Sequence, residues 1–284
     1  MAISPLDVKS LRDRTGAGMA DCKKALEEAE GDMTVAIEVL RKKGAATASK
    51  RADRSANEGV IGTAVTADHK RAAIVEVNCE TDFVARNEEF SSFVKRLAQV
   101  IVDAQPKNAE ELNALMIDGT KVESHLHDLL GKFSEKIEIR RFEILSTEDG
   151  YVTDYVHQGD KLAVLVELTG SGEQTNGLAR DIAMQVAAMN PSFVHRKEVP
   201  EDVLAKEREI YASQALTEGK KPEFADKIIA GRLEKYFADA CLLEQSFVKD
   251  SAKTIQEVLR SVANDSGNEV TVARFVRYNL GENL

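Results

Sequence analysis

Residues 58–87 read EGVIGTAVTADHKRAAIVEVNCETDFVARN, and they contain one complete pattern of two strands and a helix start. Two apolar runs, Glu58–Val65 and Ala72–Val77, flank a polar turn at Asp68-His69-Lys70. β-Branched residues on both sides of a turn-forming tip are typical of a β-hairpin. Asn87, followed by two glutamates, is a helix-start signal, and apolar residues recur at helical spacing from there to Ala104. The stretch therefore predicts two strands followed by a helix.

A second copy of this pattern lies about ninety residues further along the chain, which indicates an internal repeat. Its two strands are Asp149–Val156 and Leu162–Leu168, and its helix is Leu178–Met189. A third apolar run closes each copy, Lys136–Leu145 in the first and Val270–Tyr278 in the second. The repeat predicts an α+β protein with two subdomains of related topology.

Three short amphipathic helices are predicted before the first copy, over Leu6–Arg14, Met19–Ala29 and Met33–Lys42, with Gly44 as the final stop signal. Together they predict a three-helix bundle. The segment Arg41–Arg54 then carries six basic residues against one acid. It is either a short nucleic-acid arm or a solvated linker or steering patch, and the acidic character of the whole protein favours the linker.

The second copy is interrupted by a long insertion. Helical patterns from Pro200 to Leu216 and from Glu223 to Ala238, separated by a break at Gly219–Pro222, predict an antiparallel helical hairpin. Its apolar stripe (Phe224, Ile228, Ile229, Leu233 and Phe237) requires a neighbour, and the sequence leaves docking on its own subunit and self-association both open. The predicted division is 1–54 for the bundle and basic linker, 55–145 for the first α+β subdomain, 146–190 with 241–284 for the second, and 191–240 for the inserted hairpin.

Composition excludes several classes of protein. A formal charge of −10 and the absence of a strongly basic domain argue against a general nucleic-acid binder. The three cysteines lie far apart, which is typical of buried thiols in a reducing compartment. The sequence shows no leader pattern and no apolar run of membrane-spanning length. We therefore expect a soluble, cytoplasmic protein without a membrane partner.

Motifs for chemistry are equally scarce. The sequence contains no phosphate-cradling GxxxxGK[ST] or GxGxxG loop and no GxSxG nucleophile motif. His125 and His127 lie two residues apart, so a helix would place them on different faces, and they are too few for a metal site. We expect no cofactor and no resident metal, and the sequence disfavours an enzyme.

The segment CETDFVARN, residues 79–87, is harder to assign. If Asp82 capped a helix, Phe83 would be a staple residue folded back onto the core. However, Asn87 already provides a stronger helix start, which leaves Thr81–Val84 free. An acid and an aromatic at the end of a sheet are also well suited to insertion into another protein. The residues alone leave these two interpretations even.

Several longer motifs, in the right order along the chain, resemble bacterial translation elongation factor Ts. They are LRDRTGAGMADCKKAL (11–26), VNCETDFVARN (77–87), IEIRRF (137–142) and the H-x-G turn at His157 to Gly159. The resemblance covers essentially the whole chain. It implies a ubiquitin-associated-like N-terminal bundle, two related α+β subdomains, and a helical hairpin that some members use to dimerise.

The resemblance further implies a guanine-nucleotide exchange factor that promotes GDP release from elongation factor Tu. The loop Thr81, Asp82, Phe83 and Val84 would enter the partner's GTPase domain, where Phe83 would wedge between helices while Asp82 and its neighbours disturb Mg²⁺ binding. The partner would be bound in its GDP-bound and nucleotide-free forms, and the hairpin would permit a homodimer or a heterotetramer. Further partner contacts are implied for Arg12, Met19, Lys23, Phe133, Ser134, Glu135, His157, Gly159 and Val248.

Two features depart from the family pattern. The H-x-G turn is followed by an acid, Asp160, which is expected to alter the contact made by that tip. The sequence ends at Asn283-Leu284 directly after the last predicted strand. The contact that a further C-terminal helix makes in some family members is therefore expected to be missing.

Overall fold

The computed structural model describes residues 3–51, 53–170, 173–219, 225–266 and 269–282. The predicted residues Phe224 and Asn283-Leu284, and most of the predicted break at Gly219–Pro222, lie outside these ranges. The elements in chain order are α1 (Pro5–Thr15), α2 (Met19–Glu28), α3 (Met33–Arg51), β1 (Glu58–Val65), β2 (Arg71–Cys79), α4 (Asp82–Ala85), α5 (Glu88–Ala104), α6 (Ala109–Ala114), β3 (Met116–Ile117), β4 (Thr120–Lys121), α7 (Val122–Phe133), β5 (Ile137–Ser146), β6 (Tyr151–Val156), β7 (Leu162–Leu168), α8 (Glu173–Met189), α9 (Glu201–Thr217), α10 (Ala225–Ala240), β8 (Ser246–Phe247), β9 (Asp250–Thr254), α11 (Ile255–Ser266) and β10 (Val272–Asn279).

The first three helices form the predicted bundle. Leu11, Cys22, Leu26 and Ala36 are fully buried at its centre. Ser4 caps α1, because its Oγ accepts a hydrogen bond from Leu6 N at 3.1 Å, and proline occupies the first helical position. The bundle is held by a small apolar core of its own.

The prediction that the third helix ends near Lys42 was wrong, since α3 continues through Gly44 and the basic segment to Arg51. Gly44 does not end the helix but allows α3 to pack closely against α7. A Cβ at Gly44 would lie 2.8 Å from the carbonyl oxygen of His127 in α7, so only glycine lets the two helices approach this closely. Alanines after Gly44 have high helix propensity and extend the helix.

The two α+β subdomains share one topology, as the repeat predicts. Their antiparallel sheets have the orders β1-β2-β5 and β6-β7-β10, with the second strand of each copy in the centre. In both copies a helix, a short hairpin (β3–β4 or β8–β9) and a second helix (α7 or α11) precede the closing strand. The short hairpins and second helices extend the repeat beyond what we predicted from the sequence.

The two sheets pack against each other, and this explains why their central strands are mostly apolar. On β2, Val75 and Val77 face α5, whereas Ala72 and Ile74 face the second subdomain. Leu165 of β7 lies in the same inter-sheet cluster as Ile74. Because side chains alternate between the faces of a strand, a strand buried on both faces reads as a continuous apolar run.

Two hydrogen bonds link the subdomains at equivalent positions of the internal repeat. Ile61 N donates to Asp160 O at 2.8 Å, and at the equivalent positions Val152 N donates to His69 O at 2.8 Å. Both acceptors lie in hairpin turns and have positive φ, 54° for His69 and 56° for Asp160. Each subdomain therefore uses its hairpin turn to hold the first strand of the other.

The inserted segment forms α9 and α10, which pack side by side as the predicted hairpin. At its base, Arg196 pairs with Glu234 of α10 at 2.9 Å and with Glu244 of the second subdomain at 2.6 Å. Its guanidinium also lies 4.5 Å from the ring centre of Phe237. Among the described residues of α10, none is fully buried, so the part of the apolar stripe formed by Ile228, Ile229, Leu233 and Phe237 stays at least partly accessible.

Candidate functional site

The segment after β2 forms one helical turn, α4, rather than an irregular loop. Ala85 N donates to Thr81 O at 3.2 Å, and Thr81 has the extended backbone of an N-cap residue. Phe83 is 83% exposed, whereas Val84 is only 5% exposed and belongs to the core of the first subdomain. The expectation that all of Thr81–Val84 is free was wrong for Val84, because the turn needs an apolar anchor. The turn is thus anchored on one side and presents an aromatic ring to solvent on the other.

Asp82 lies beside the exposed ring and pairs with Arg86, one turn later, at 3.2 Å. Both side chains are accessible to solvent. Exposed pairs of this kind contribute little to stability and exchange partners readily. The carboxylate is therefore available for rearrangement when another protein approaches.

The segment just before β5 braces this turn, through the carboxylate of Glu135 and the backbone of Lys136. Glu135 accepts hydrogen bonds from Thr81 N at 3.0 Å and from Thr81 Oγ1 at 2.6 Å. In return, Lys136 N donates to Glu80 Oε1 at 2.6 Å. The structure thereby brings together Thr81 and Glu135, which the resemblance implicated separately. It also adds Glu80 and Lys136, which sequence reasoning missed because no local pattern links residues so far apart.

Phe133 and Ser134 lie directly before this brace. Phe133 is half-buried against the core, and Ser134 is exposed with a left-handed backbone, φ 58°, that ends α7. Only Ser134 of this group presents its side chain freely. The segment 133–135 therefore acts more as a support for the α4 turn than as a projecting element.

The turn between β6 and β7 lies at the same end of the molecule. Glu58 pairs with Cys79, where β2 ends, and Lys161 Nζ reaches Glu58 Oε2 at 2.6 Å. His157 and Gly159 are both exposed. Gly159 has φ +94°, and a Cβ there would meet nothing within 4 Å, so its backbone conformation rather than crowding requires glycine. Two turns from different subdomains thus lie along one edge, which we name the contact edge (residues 81–86 and 157–160) after the partner contacts that the resemblance implies for it.

Asp160, the acid that follows Gly159, is the last residue of this turn. Its backbone carbonyl accepts the bond from Ile61 N, and its left-handed φ of 56° is one that aspartate tolerates better than most residues. The acid therefore supports the inter-subdomain contact.

Val248 is exposed at the β8–β9 hairpin, and its backbone N donates to the Oε1 of the buried Gln185 at 2.8 Å. Lys249, the next residue, pairs with Asp181 of α8 at 2.6 Å. Both bonds tie the hairpin to α8. Val248 is thus a fixed apolar surface residue of the second subdomain.

The predicted residues of the bundle are Arg12 on α1 and Met19 and Lys23 on α2, and all three are exposed. Lys23 pairs with Glu27 at 3.8 Å. The bundle meets the first subdomain through α3 and α7, where Arg41 pairs with Asp128 at 3.5 Å. Burial raises the pKa of Asp128, and the Arg41 guanidinium opposes that shift.

A cavity of about 690 Å³ lies along this junction between the bundle and the first subdomain. Several charged residues that line it pair with each other, as in the contacts of Lys43 with Asp21 and of Lys132 with Glu89. His125, which also lines it, bonds to the carbonyl oxygen of Ile117 at 2.9 Å. Across the part of the chain that the structure describes, no group of three His, Cys, Asp or Glu residues is arranged to hold a metal ion. Within the same ranges, no helix has both the length and the apolar character required to span a membrane.

Comparison with known proteins assigns the chain to a family. The family profile described as "Elongation factor TS" matches residues 80–282. The elongation factor Ts of Chloroherpeton thalassium is 48% identical over 285 residues, covering 99% of this chain and 99% of that protein. Those of Prosthecochloris aestuarii and Clostridium perfringens are 47% and 46% identical, each over 98% of this chain. The chain belongs to the elongation factor Ts family, and it is accordingly an elongation factor of protein biosynthesis.

Proposed function

We propose that this protein is the guanine-nucleotide exchange factor for elongation factor Tu and that the α4 turn is the element that expels GDP. The observation that carries the proposal is Phe83, an aromatic ring 83% exposed on a turn that is anchored by Val84 and braced by Glu135. A large exposed aromatic on a rigid support is typical of a binding hot spot. Its neighbour Asp82 adds a negative charge to the same tip.

The proposed mechanism needs no covalent step. Phe83 inserts into the partner's GTPase domain and stabilises a conformation in which Mg²⁺ and GDP bind poorly. Coupling between two ligands of one protein is reciprocal. A protein that binds best to this conformation therefore lowers the partner's affinity for GDP by the same ratio by which GDP lowers the partner's affinity for that protein. Asp82 brings a negative charge close to the groups that hold Mg²⁺ in the partner. Because the diphosphate of GDP is also negative, this charge disfavours the Mg²⁺-bound diphosphate.

The other exposed residues contribute binding. His157 and Gly159 form the second half of the contact edge, and Arg12, Met19, Lys23, Phe133, Ser134, Glu135 and Val248 are proposed as further contacts. Bringing two turns to one edge supports simultaneous engagement of two parts of the partner. The partner is bound in its GDP-bound and nucleotide-free forms, and the accessible stripe of α10 is the proposed surface for a dimer or a heterotetramer.

Release of labelled GDP from elongation factor Tu tests this function. Phe83→Ala removes the wedge, and burial of one such ring is worth about 1.5–3 kcal/mol, so exchange should slow by roughly 10- to 100-fold. The free energy of unfolding should barely change, because the ring has few contacts within its own chain. Met116→Ala serves as the control, since Met116 is also an exposed apolar residue of the first subdomain outside the contact edge.

Two outcomes would contradict the proposal. If Phe83→Ala exchanged GDP as fast as the parent, the α4 turn would not be the active element. If the parent bound elongation factor Tu without changing the rate of GDP release, the protein would instead be a scaffold or chaperone-like module.

A further inference from the structure

Glu76 is a carboxylate in the middle of the apolar strand β2, and it is 0% exposed. An isolated buried carboxylate is strongly unfavourable unless it is fully partnered. Glu76 accepts hydrogen bonds from Arg141 Nε at 2.7 Å, Asn78 Nδ2 at 3.2 Å and Gly281 N at 3.0 Å, and Arg140 Nη1 lies 3.5 Å away. Its charge is therefore compensated by two guanidinium groups and a backbone amide.

These partners come from both subdomains. Glu76, Arg140 and Arg141 belong to the first sheet, whereas Gly281 follows the last strand of the second. The arginines extend the connection, since Arg141 Nη2 donates to Asn279 O at 3.3 Å and Arg140 Nη2 donates to Glu282 O at 2.7 Å. Three hydrogen bonds, those to Glu76, Asn279 and Glu282, thus hold the end of the second subdomain against the first sheet.

The internal repeat contains a second, weaker version of this connection. Glu167 and Arg274 occupy the equivalent positions on β7 and β10 and pair at 2.6 Å. Arg274 Nη2 donates to Ser146 O at 3.1 Å, at the end of the closing strand of the first subdomain. However, the side chain of Arg274 is 50% exposed, against 15% for Arg141. The buried connection at Glu76 is the more rigid of the two.

The buried connection also lies at the end that carries the contact edge. Ile61 pairs with Glu76 across β1 and β2, and the same Ile61 donates its N–H to Asp160 in the β6–β7 turn. On β2, Glu76 precedes the α4 turn by only a few residues. The equivalent pair at Glu167 lies next to Val152 and the β1–β2 turn, at the opposite end.

We propose that Glu76 is a positioning residue that fixes the spacing between the two halves of the contact edge, the α4 turn and the β6–β7 turn. The consequence for the partner rests on the exchange function proposed above. When two contacts are held at the correct spacing, binding at the first raises the effective concentration of the second. If the connection at Glu76 loosened, each turn would stay intact, but the increase in effective concentration would be lost.

The spacing is measurable in the free protein. Nitroxide labels at Ser92→Cys and Gln158→Cys, both exposed, report the distance between α5, which directly follows the α4 turn, and the β6–β7 turn. The three buried native cysteines stay unlabelled. Glu76→Gln keeps the shape of the side chain but removes the charge that holds two arginines. We expect its distance distribution to broaden, and that of Glu167→Gln to stay close to the parent. An unchanged distribution in Glu76→Gln, or equal broadening in Glu167→Gln, would overturn the proposal.

A second variant covers the case in which Glu76→Gln does not fold. Arg140→Gln removes the bond to Glu282 and one of the two guanidinium groups, but Arg141 still compensates Glu76. We expect a smaller broadening in this variant. A distribution identical to that of the parent would count against the proposal.

The kinetics of GDP exchange then distinguish a positioning role of Glu76 from a role in stability alone. In the parent background, His157→Ala should slow GDP release by roughly 10-fold at low factor concentration, because it removes a pre-aligned contact. In the Glu76→Gln background the same substitution should have a much smaller effect. Equal effects in both backgrounds would overturn the positioning role. The distance measurement uses the free protein. It therefore tests the positioning role of Glu76 even if the protein has no exchange activity.

Discussion

At the scale of single residues, neighbouring side chains in the α4 turn have opposite environments. Phe83 is exposed and Val84 is buried. The residues alone left an exposed tip and a staple folded back onto the core as equal interpretations, and the exposure of Phe83 favours the exposed tip. Which apolar residue anchors the turn could not be predicted, because both are hydrophobic and only the packing against β1 and α5 distinguishes them.

The cysteines provide a prediction at this scale. All three are buried, as their spacing led us to expect. Burial raises the pKa of the Cys79 thiol from 9.0 to about 12, that of Cys241 to about 11, and that of Cys22 above its usual value. Since the thiolate is the reactive form, alkylation at about pH 8 should be far slower in the native protein than in the urea-unfolded chain. Rapid modification of Cys79 in the native protein would contradict this.

Cys79 also predicts a pH dependence of stability. The folded state holds the thiol proton more tightly than the unfolded state does. Its contribution is therefore fully present below the unfolded pKa and is lost as pH rises from about 9 through about 12. The advantage in unfolding free energy of the parent over Cys79→Ala should shrink between about pH 8 and pH 11 in urea titrations. If the difference in unfolding free energy between the parent and Cys79→Ala stayed constant across this range, the pH dependence would not come from Cys79.

At the scale of elements, the bounds of β1, β7 and α5 agree with the prediction because their signals are local. Periodicity, caps and turns depend on a few neighbouring residues. The elements we missed are of two kinds. Two-residue strands such as β3 are too short to show a period, and α7 lay in a stretch that we did not assign although Val122, Leu129 and Leu130 have helical spacing.

The start of α5 gives a prediction at this scale. Asn87 Oδ1 accepts a hydrogen bond from Glu89 N at 2.9 Å. Asn87→Ala should lower the free energy of unfolding by about 1 kcal/mol, because one helix-terminal N–H loses its partner. Asn108→Ala is the matched comparison, since Asn108 caps the short α6 through Glu111 N at 2.9 Å. Urea unfolding of both variants measures the effect, and an unchanged midpoint for Asn87→Ala would contradict it.

The helical hairpin is an element whose existence could be predicted and whose contacts could not. Helical spacing and a break define α9 and α10, but Arg196 reaches Glu234 and Glu244 only in the folded chain. Whether the accessible stripe of α10 meets another copy stays a prediction. It is open to measurement of the oligomeric state with and without Leu233→Glu.

At the scale of the whole molecule, the two sheets share one core. Ile61, Ile74 and Leu145 of the first subdomain pack with Val152 and Leu165 of the second. A surface of this kind couples the stability of both halves, because neither sheet can expose its inner face without losing apolar burial. The N-terminal bundle has a separate core and meets the first subdomain mainly where α3 packs on α7.

This coupling can be tested by truncating one side chain in each core. Leu165→Ala should lower the free energy of unfolding by about 3 kcal/mol and destabilise both subdomains together, because the cavity lies between their sheets. Leu11→Ala, at a fully buried site of the bundle, should unfold the bundle and spare the sheets. Hydrogen exchange of the strand amides measures both effects. Destabilisation of the second sheet alone by Leu165→Ala would contradict the shared core.

From the sequence alone follow most of the local elements, the two repeated hairpins and the α+β class. Those features depend on residues close together in the chain, so periodicity and caps suffice to identify them. The tertiary structure alone decided that α3 runs through Gly44, that Glu135 braces Thr81, and that Glu76 joins two subdomains. These contacts link residues far apart in sequence, and their geometry exists only once the two sheets have packed against each other.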